Sequence, residues 1–224
     1  MPRIVKAHDE RRQEILEVAQ SLFYAHGYEG TSIQYIIDQI GIAKGTFYHY
    51  FSSKTDLLDA LIDHLVNSTL DQVEPVLDDP DLDALQKLHR FFMRLENWKL
   101  ENKDFLLDIL RAWYSDDNIV FRTRLEQAQM QNFAEKFAQI IEQGNQEGIF
   151  STQHPLEIAQ IILAIMQDFS HRLLDVILNP DSSSANLSGV IPQVNIYQTS
   201  MEQLLGAPPG SINIFNPERL KQWL

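Results

Sequence analysis

The chain has 224 residues, enough for one large domain or two modest ones, and its 44% hydrophobic and 22% charged residues are ordinary values for a globular protein. It contains no cysteine, which excludes disulfide bonds and thiolate metal sites. Its net charge of −13 argues against a broad basic surface for nucleic acid; residues 1–65, with six basic and nine acidic side chains, are less acidic than the rest but not basic. Any DNA binding should therefore depend on a few placed contacts and weaken strongly with salt.

Apolar residues recur at helical spacing along almost the whole chain, so we predict an all-α protein. A first helix is expected over about Asp9–Ala25, ending at Gly27, and a second over Ser32–Ile40, ending at Gly41. Thr31 is the predicted N-cap of the second helix, with Gln34 completing a capping box. The predicted buried face of the first helix consists of Ile15, Leu16, Ala19, Leu22 and Phe23, and that of the second of Ile33, Ile36, Ile37 and Ile40.

Only three residues, 41–43, separate the second helix from a third over Lys44–Phe51. Two short helices joined by so tight a turn must cross steeply, which is the helix-turn-helix geometry. Phe47 and Phe51 lie four residues apart and are predicted to anchor the third helix on the core. Gly45 weakens a helix by about 1 kcal/mol relative to Ala, and its expected use is a close approach to a base edge. The predicted outward face is cationic, hydrogen-bonding or aromatic and suits a DNA groove: Lys44, Thr46, Tyr48, His49 and Tyr50.

Longer helices follow. The first starts at Lys54, with Leu57, Leu58, Leu61, Ile62 and Leu65 facing inward. Five more are predicted near Asp81–Asn102, Lys103–Tyr114, Asp117–Gln146, Pro155–Leu178 and Ile191–Leu205, with a Ser/Asn-rich loop at 181–189. We expect two domains: a three-helix helix-turn-helix domain over 1–62 and a larger helical domain over 63–224. The tail 208–224 has no predicted role.

The segment Thr31–Leu58 closely resembles the DNA-binding signature of the tetracycline-repressor (TetR) family. The shared features are the short turn, the opening Lys-Gly-Thr of 44–46, the Tyr-x-Tyr-Phe block of 48–51, and Lys54 at the start of the next helix. The resemblance covers roughly residues 8–62. It implies a ligand-responsive transcriptional repressor that binds a palindromic double-stranded DNA operator as a homodimer and is released by a small-molecule effector.

The resemblance also assigns roles to side chains. Those implied to face bases are Lys44, Gly45, Thr46 and His49, and those implied to hold phosphates are Thr31, Ser32, Tyr48, Tyr50 and Lys54. The residues themselves leave alternatives open, because Thr31 could be only an N-cap, Tyr50 could be half-buried core and Lys54 could be a solvated lysine.

An effector pocket is implied among the middle helices, where aromatic residues crowd. Its candidate residues are Phe92, Trp98, Trp113, Tyr114, Phe121 and Phe169, although plain core filling is the alternative for each. The helix Pro155–Leu178 is apolar over a broad face, which suggests a second surface to bury. We expect it to pair with Ile191–Leu205 and their symmetry mates in the four-helix bundle of a dimer.

Other classes of protein have weaker support. The sequence lacks a nucleophile elbow, a phosphate-binding glycine loop and a His-Glu-x-x-His motif, so we expect no enzyme activity, cofactor or metal. A helical di-iron enzyme is one alternative, but its nearest motif is a single Asp168-x-x-His171, which is more often a satisfied polar patch. A protein-interaction module without DNA binding is the other, supported only by the acidic N-terminal charge. With no apolar core of a signal peptide in 1–8 and no bilayer-length apolar run, we expect a soluble, cytoplasmic protein without membrane contact.

Overall fold

The computed structural model of the protein describes residues 8–101, 116–178 and 187–214 and the positions 103, 107, 110, 219 and 222, apart from the side chains of 95, 98, 99 and 187–191. Over this part of the chain the regular structure is helical, which confirms the predicted fold class. The helices are α1 His8–His26, α2 Ile33–Ile40, α3 Lys44–Tyr50, α4 Lys54–Leu77, α5 Ala84–Glu101, α6 Ile119–Glu147, α7 Pro155–Leu178 and α8 Leu187–Leu205, with a 3-10 turn at Asp116–Asn118 before α6.

Most predicted helices are found within a few residues of their expected bounds. The helix that begins at Lys54 is a single element as far as Leu77, so the change of pattern near Val66 does not mark a break. The last predicted helix starts earlier than expected, at Leu187, inside the segment predicted as a loop. The predicted helix Lys103–Tyr114 lies outside the described residues.

The chain divides into two compact units. The first consists of Met1–Ser68 and Asp104–Ala128, and the second of Thr69–Lys103 and Gln129–Leu224. This division differs from the boundary predicted after residue 62, because a second, distant stretch of chain belongs to the first unit.

The core of the first unit contains most of the residues that helical spacing predicts, whereas Ile33, Ile40 and Leu65 are only half-buried. All five predicted residues of α1 are buried, as are Ile36 and Ile37 of α2. Leu57, Leu58, Leu61 and Ile62 of α4 are buried too. Phe121, contributed by the start of α6, is fully buried and stacks on Tyr24, with its ring centroid 6.1 Å from that of Phe23.

The N-cap of α2 is Ser32, so the predicted cap and capping box at Thr31 and Gln34 are wrong. The Ser32 hydroxyl accepts the backbone N–H of Tyr35 at 3.1 Å. Thr31 is instead fully buried, and its hydroxyl donates to the carbonyl of Gly27 at 2.8 Å. Thr31 therefore satisfies a carbonyl just past the end of α1, which leaves the start of α2 to the next residue.

The second unit has its own core, in which Phe91, Phe92 and Phe137 pack edge to face. Part of the C-terminal tail also belongs to this core, since Ile212 and Ile214 are buried in it. The backbone N–H of Ile212 donates to the Glu202 carboxylate at 3.0 Å. Within the described residues, none of the helices is both long and apolar enough to cross a lipid bilayer.

Candidate nucleic-acid interface

The turn between α2 and α3 reverses the chain in three residues. Gly41 has φ 73° and ψ 36°, a left-handed conformation that glycine adopts without steric cost. Its N–H donates to the carbonyl of Ile37 at 2.9 Å, and the N–H of Ile42 reaches the same carbonyl at 3.3 Å. Ala43 is extended and α3 begins directly after it. This is the helix-turn-helix that the spacing predicts.

Helix α3 is anchored on the core by Phe47 within it and by Phe51 directly after it, the two residues predicted. Phe47 is 0% and Phe51 is 1% exposed, and their ring centroids are 5.9 Å apart. The opposite face carries Lys44, Gly45, Tyr48 and His49, which are exposed, while Thr46 and Tyr50 are half-buried. Tyr48 is 44% exposed, and the Lys44 ammonium lies 5.9 Å from its ring centroid. A short helix thus presents polar and aromatic groups to solvent on a rigid base.

Tyr50 is half-buried, and its ring packs against two histidine rings. Its ring centroid is 4.7 Å from that of His8, the first residue of α1, and 5.1 Å from that of His49. The two histidine rings lie edge to face, 5.7 Å apart. The half-buried reading of Tyr50 therefore holds. His8 is a neighbour of α3 that the sequence did not indicate, because the contact joins two different helices.

Lys54 is held in place and is not a freely solvated lysine. Its ammonium lies 4.2 Å from the ring centroid of Tyr28 and donates to the backbone carbonyl of Glu29 at 3.4 Å. Burial lowers the pKa of Lys54 below its ordinary value, and the nearby Glu29 carboxylate opposes this shift. Among other cations of this unit, Arg11 forms an ion pair with Glu14, and the Arg12 guanidinium lies 5.5 Å above the Phe51 ring.

The connection from α3 to α4 is fixed by hydrogen bonds. The Ser53 hydroxyl accepts the backbone N–H of Asp56 at 3.0 Å. The Asp56 carboxylate accepts the backbone N–H of Ser52 at 2.7 Å and its hydroxyl at 2.9 Å. These bonds from Ser52 hold the pKa of Asp56 below its ordinary value. They set the start of α4, and with it the position of Lys54.

The hydrogen bonds to Asp56 predict a small acid dependence of stability. Because the folded pKa is depressed, the stabilisation is present above the ordinary aspartate value of 3.8 and is lost as the pH falls through the folded value. Asp56 is exposed, so we expect this stabilisation to be only roughly a few tenths of a kcal/mol. Urea unfolding should show Asp56→Asn less stable than the unaltered protein near neutral pH and equal to it at the acid end. A difference that stays constant with pH would contradict this assignment.

Gly45 allows a prediction that separates folding from binding. A Cβ added at Gly45 would meet nothing within 4 Å in the free protein. Gly45→Ala should therefore raise the free energy of unfolding by about 0.5–1 kcal/mol, the helix-propensity difference. The same methyl group should weaken DNA binding about tenfold or more if the backbone approaches a base edge there. Urea unfolding and operator titration by fluorescence anisotropy measure the two effects.

Gly41→Ala is the matched control, since its Cβ also meets nothing within 4 Å but its φ is 73°. It should lower the free energy of unfolding by about 1–2 kcal/mol. Unchanged operator affinity in Gly45→Ala would mean that this glycine lies away from the DNA.

Most of the predicted DNA-contact residues lie together in the structure, but one of them, Thr31, is buried. Thr31 points into the core, so its side chain has no surface to offer a phosphate. Ser32 is exposed beside it while capping α2. The other predicted contacts lie on α3 or at the start of α4: Lys44, Gly45, Thr46, Tyr48, His49, Tyr50 and Lys54.

The predicted effector-pocket residues do not form one group. Phe121 is in the core of the first unit against Phe23, which is a structural position and not one among the helices of the second unit. Phe92 is in the core of the second unit, and Phe169 of α7 packs on Tyr197 of α8 with ring centroids 5.1 Å apart. The side chains of Trp98, Trp113 and Tyr114 lie outside the described residues.

The carboxylate of the Asp168-x-x-His171 motif is hydrogen-bonded within the protein. Asp168 accepts from Arg172 Nε at 2.8 Å and from the Tyr197 hydroxyl. The hydrogen bond from Arg172 has the largest effect on the pKa of Asp168, and with the bond from Tyr197 it lowers that pKa. Of the two interpretations of this motif, a di-iron site or a satisfied polar patch, the hydrogen bonds support the polar patch. Across the described residues, no group of three or more His, Asp or Glu side chains is placed to hold a metal ion.

Comparison with known families agrees with this geometry. Residues 15–61 match the model of the bacterial regulatory proteins of the tetR family, and residues 108–179 match that of the tetracyclin repressor-like C-terminal domain. Together the two matches span somewhat more than half of the chain. The chain belongs to the TetR family. It is therefore a helix-turn-helix transcriptional regulator, a class that binds DNA and commonly represses.

Relatives of this TetR-family chain cover different shares of it. The HTH-type transcriptional regulator YfiR of Bacillus subtilis is 23% identical over 208 residues, 90% of this chain and 97% of its own length. The HTH-type transcriptional repressor KstR2 of Mycobacterium tuberculosis is 30% identical over 93 residues, which are 42% of this chain and 46% of that repressor.

Two solved TetR-family structures show the same fold. A regulator from Pectobacterium atrosepticum aligns with a TM-score of 0.58 at 18% identity, over 91% of this chain and 100% of its own. A regulator from Haloarcula marismortui aligns with a TM-score of 0.57 at 21% identity, over 88% of this chain and 97% of its own.

Proposed function

We propose that this TetR-family regulator is a cytoplasmic, ligand-responsive repressor that binds a palindromic operator as a homodimer and releases it when a small molecule binds the second unit. The observation that carries the proposal is α3, a helix with two fully buried anchors and an exposed face of Lys44, Tyr48 and His49. Such a face adds nothing to the core, whereas it matches the hydrogen-bonding edges of a major groove. The name of KstR2 as a repressor supports repression as the mode of action.

We assign base contacts to the first turn of α3 and phosphate contacts to its surroundings. Lys44, Gly45, Thr46 and His49 would face base edges, with the Lys44 ammonium suited to guanine O6 and N7. Ser32, Tyr48, Tyr50 and Lys54 would donate to phosphate oxygens and set the register on the duplex. Thr31 is not assigned a contact, since its side chain is buried.

The charge of the chain shapes how it would bind. With a net charge of −13, attraction to DNA must come from the few cations at the interface, chiefly Lys44 and Lys54. Each phosphate that a cation neutralises steepens the slope of log K against log salt by about 0.9. We therefore expect the slope to report the number of these phosphate contacts in the dimer, and binding to weaken strongly as the salt concentration rises.

The homodimer proposal is supported by an apolar surface on α7 and α8. Leu156 and Ile161 of α7 are 42% and 45% exposed, and Ile196 of α8 is 65% exposed. Large apolar side chains left exposed on two helices of the same unit fit a surface that another subunit covers. A two-fold pairing through these helices would present two α3 helices to successive major grooves of a palindromic operator.

The effector pocket is proposed within the second unit, near the aromatic cluster of Phe91, Phe92 and Phe137. Trp98 is a further candidate, through the family resemblance. Binding there would act by population shift, in which the effector favours a dimer state unable to place both α3 helices in successive grooves.

The proposed function is tested by selecting binding sites from a random DNA pool at modest salt. Recovery of an inverted repeat with half-sites about one helical turn apart is the expected result. Recovery of no sequence by protein that is folded, dimeric and refolded free of ligand would overturn the proposal. Selection of a single, unrepeated site would leave DNA reading in place and overturn the homodimer.

Ile161→Glu should break the dimer. A carboxylate placed in an apolar subunit interface loses its hydration without gaining a partner, so we expect the dimer dissociation constant to rise about 100-fold or more. Light scattering during size-exclusion chromatography measures the change, and operator affinity should fall with it. Met93→Glu is the matched control, because Met93 of α5 is 51% exposed and lies on another helix. Dimerisation unchanged by Ile161→Glu would place the subunit interface elsewhere.

A further inference from the structure

A stretch of chain distant in sequence from the helix-turn-helix helps to build it. Asn118, which is 1% exposed, donates from its amide nitrogen to the backbone carbonyl of Phe23 at 3.1 Å. Its amide oxygen accepts the backbone N–H of Tyr28 at 2.8 Å. The backbone N–H of Glu29 donates to the carbonyl of Asp117 at 3.3 Å. The last turn of α1 and the first residues of its connection to α2 are thus held by the turn before α6.

Asp117 and Asn118 form a seat for residues 27–29, and this seat is closely packed. A Cβ added at Gly27, where φ is 76°, would lie 2.5 Å from the Cβ of Asp117. Phe121, one turn beyond Asn118, is fully buried and contacts the rings of Phe23 and Tyr24. The positions of residues 27–29 therefore depend on the turn Asp116–Asn118.

The same two residues, Tyr28 and Glu29, also hold Lys54. The Lys54 ammonium lies over the Tyr28 ring at 4.2 Å and donates to the Glu29 carbonyl at 3.4 Å. An ammonium has three donors, so these contacts orient Lys54 and leave it able to bind a phosphate oxygen. Burial at this seat lowers the pKa of Lys54, in keeping with a lysine that is fixed and partly dehydrated.

We propose that Asn118 is a positioning residue for DNA binding, which fixes Tyr28 and Glu29 and through them aims the Lys54 ammonium at an operator phosphate. The inference rests on the proposed function, since it takes Lys54 as a phosphate contact. Asparagine suits the role because one planar amide both donates and accepts. Aspartate keeps only the acceptor for Tyr28, and alanine keeps neither bond.

The test uses the full chain and the operator recovered by selection. Lys54→Gln removes one phosphate contact per protomer and should reduce the slope of log K against log salt by about 1.8 per dimer. Asn118→Ala changes no charge, yet it should reduce the slope by a similar amount, because Lys54 loses its orientation. The double variant should show no further reduction. Asn118→Asp should give an intermediate loss and serves if the alanine variant does not fold.

Leu16→Ala is the control for lost stability, because Leu16 is buried in α1 and has no part in the seat. It should leave the salt slope unchanged. A normal slope in Asn118→Ala, or an effect that adds fully to that of Lys54→Gln, would overturn the positioning role while DNA binding stands. No selected DNA from the unaltered protein would overturn both proposals.

A readout without DNA completes the test. The Tyr28 ring should shift the NMR signal of the Lys54 ε-carbon. This signal is assigned by its disappearance in Lys54→Gln. This shift should disappear in Asn118→Ala and persist in Leu16→Ala. Persistence in Asn118→Ala would mean that Lys54 is held without Asn118.

Discussion

Replacing Lys44 and Tyr48 together by alanine should lower operator affinity at least about 100-fold and leave thermal unfolding nearly unchanged. Both side chains are exposed, so their removal opens no cavity in the core. Each good base or phosphate contact contributes about 1–3 kcal/mol, and a dimer loses every contact twice. Fluorescence anisotropy with the selected operator measures affinity, and circular dichroism follows unfolding.

Lys136→Ala is the matched control for this loss, since it removes the same charge from α6. Equal losses in Lys136→Ala and in the double variant would mean that net charge, and not position, decides affinity. The single variants separate the roles further. Lys44→Ala should relax specificity at one base position, whereas Tyr48→Ala should weaken binding to all sequences about equally.

Phe47→Ala should destabilise the first unit by about 3–5 kcal/mol, the cost of truncating a buried aromatic side chain. Phe47 is fully buried and its ring packs on Phe51, so its loss leaves a cavity beneath α3. Because domains are stable by only about 5–15 kcal/mol, much of the margin would be lost. Urea unfolding measures the loss of stability, and hydrogen exchange at the amides of α1–α3 shows whether it falls on the first unit.

Tyr48→Ala is the control from the next position of the same helix. Tyr48 is 44% exposed, so the free energy of unfolding should change by about 0.5 kcal/mol or less. Similar losses in Phe47→Ala and Tyr48→Ala would contradict the assignment of one buried and one exposed face. Phe47→Leu should recover most of the stability, because it refills much of the cavity.

The helix-turn-helix could be predicted because its determinants are local. Phe47 and Phe51 are one helical turn apart, and burial of both follows from that spacing and their apolar character. Gly41 ends α2 in the left-handed conformation for which glycine is preferred, so the tight turn is also readable from sequence. The family motif lies in the same short segment, which is why fold class and family follow from the chain alone.

Tertiary contacts decided the details of the interface. Thr31 and Ser32 are both good caps. The carbonyls of Leu22 and Gly27 at the end of α1 accept the Thr31 hydroxyl, which leaves Ser32 to cap α2. Phe121 has the aromatic character of a pocket residue, but its packing on Phe23 places it in the core of the first unit.

Asn118 is the clearest case of a role that sequence alone does not reveal. Its neighbours in the chain carry no motif, and its amide bonds with Tyr28 across 90 residues. Helical periodicity reports contacts within a few turns of one helix, so it predicts which face is buried. Which residues meet on that face depends on how distant segments pack, and that packing is what holds Lys54 against Tyr28 and Glu29.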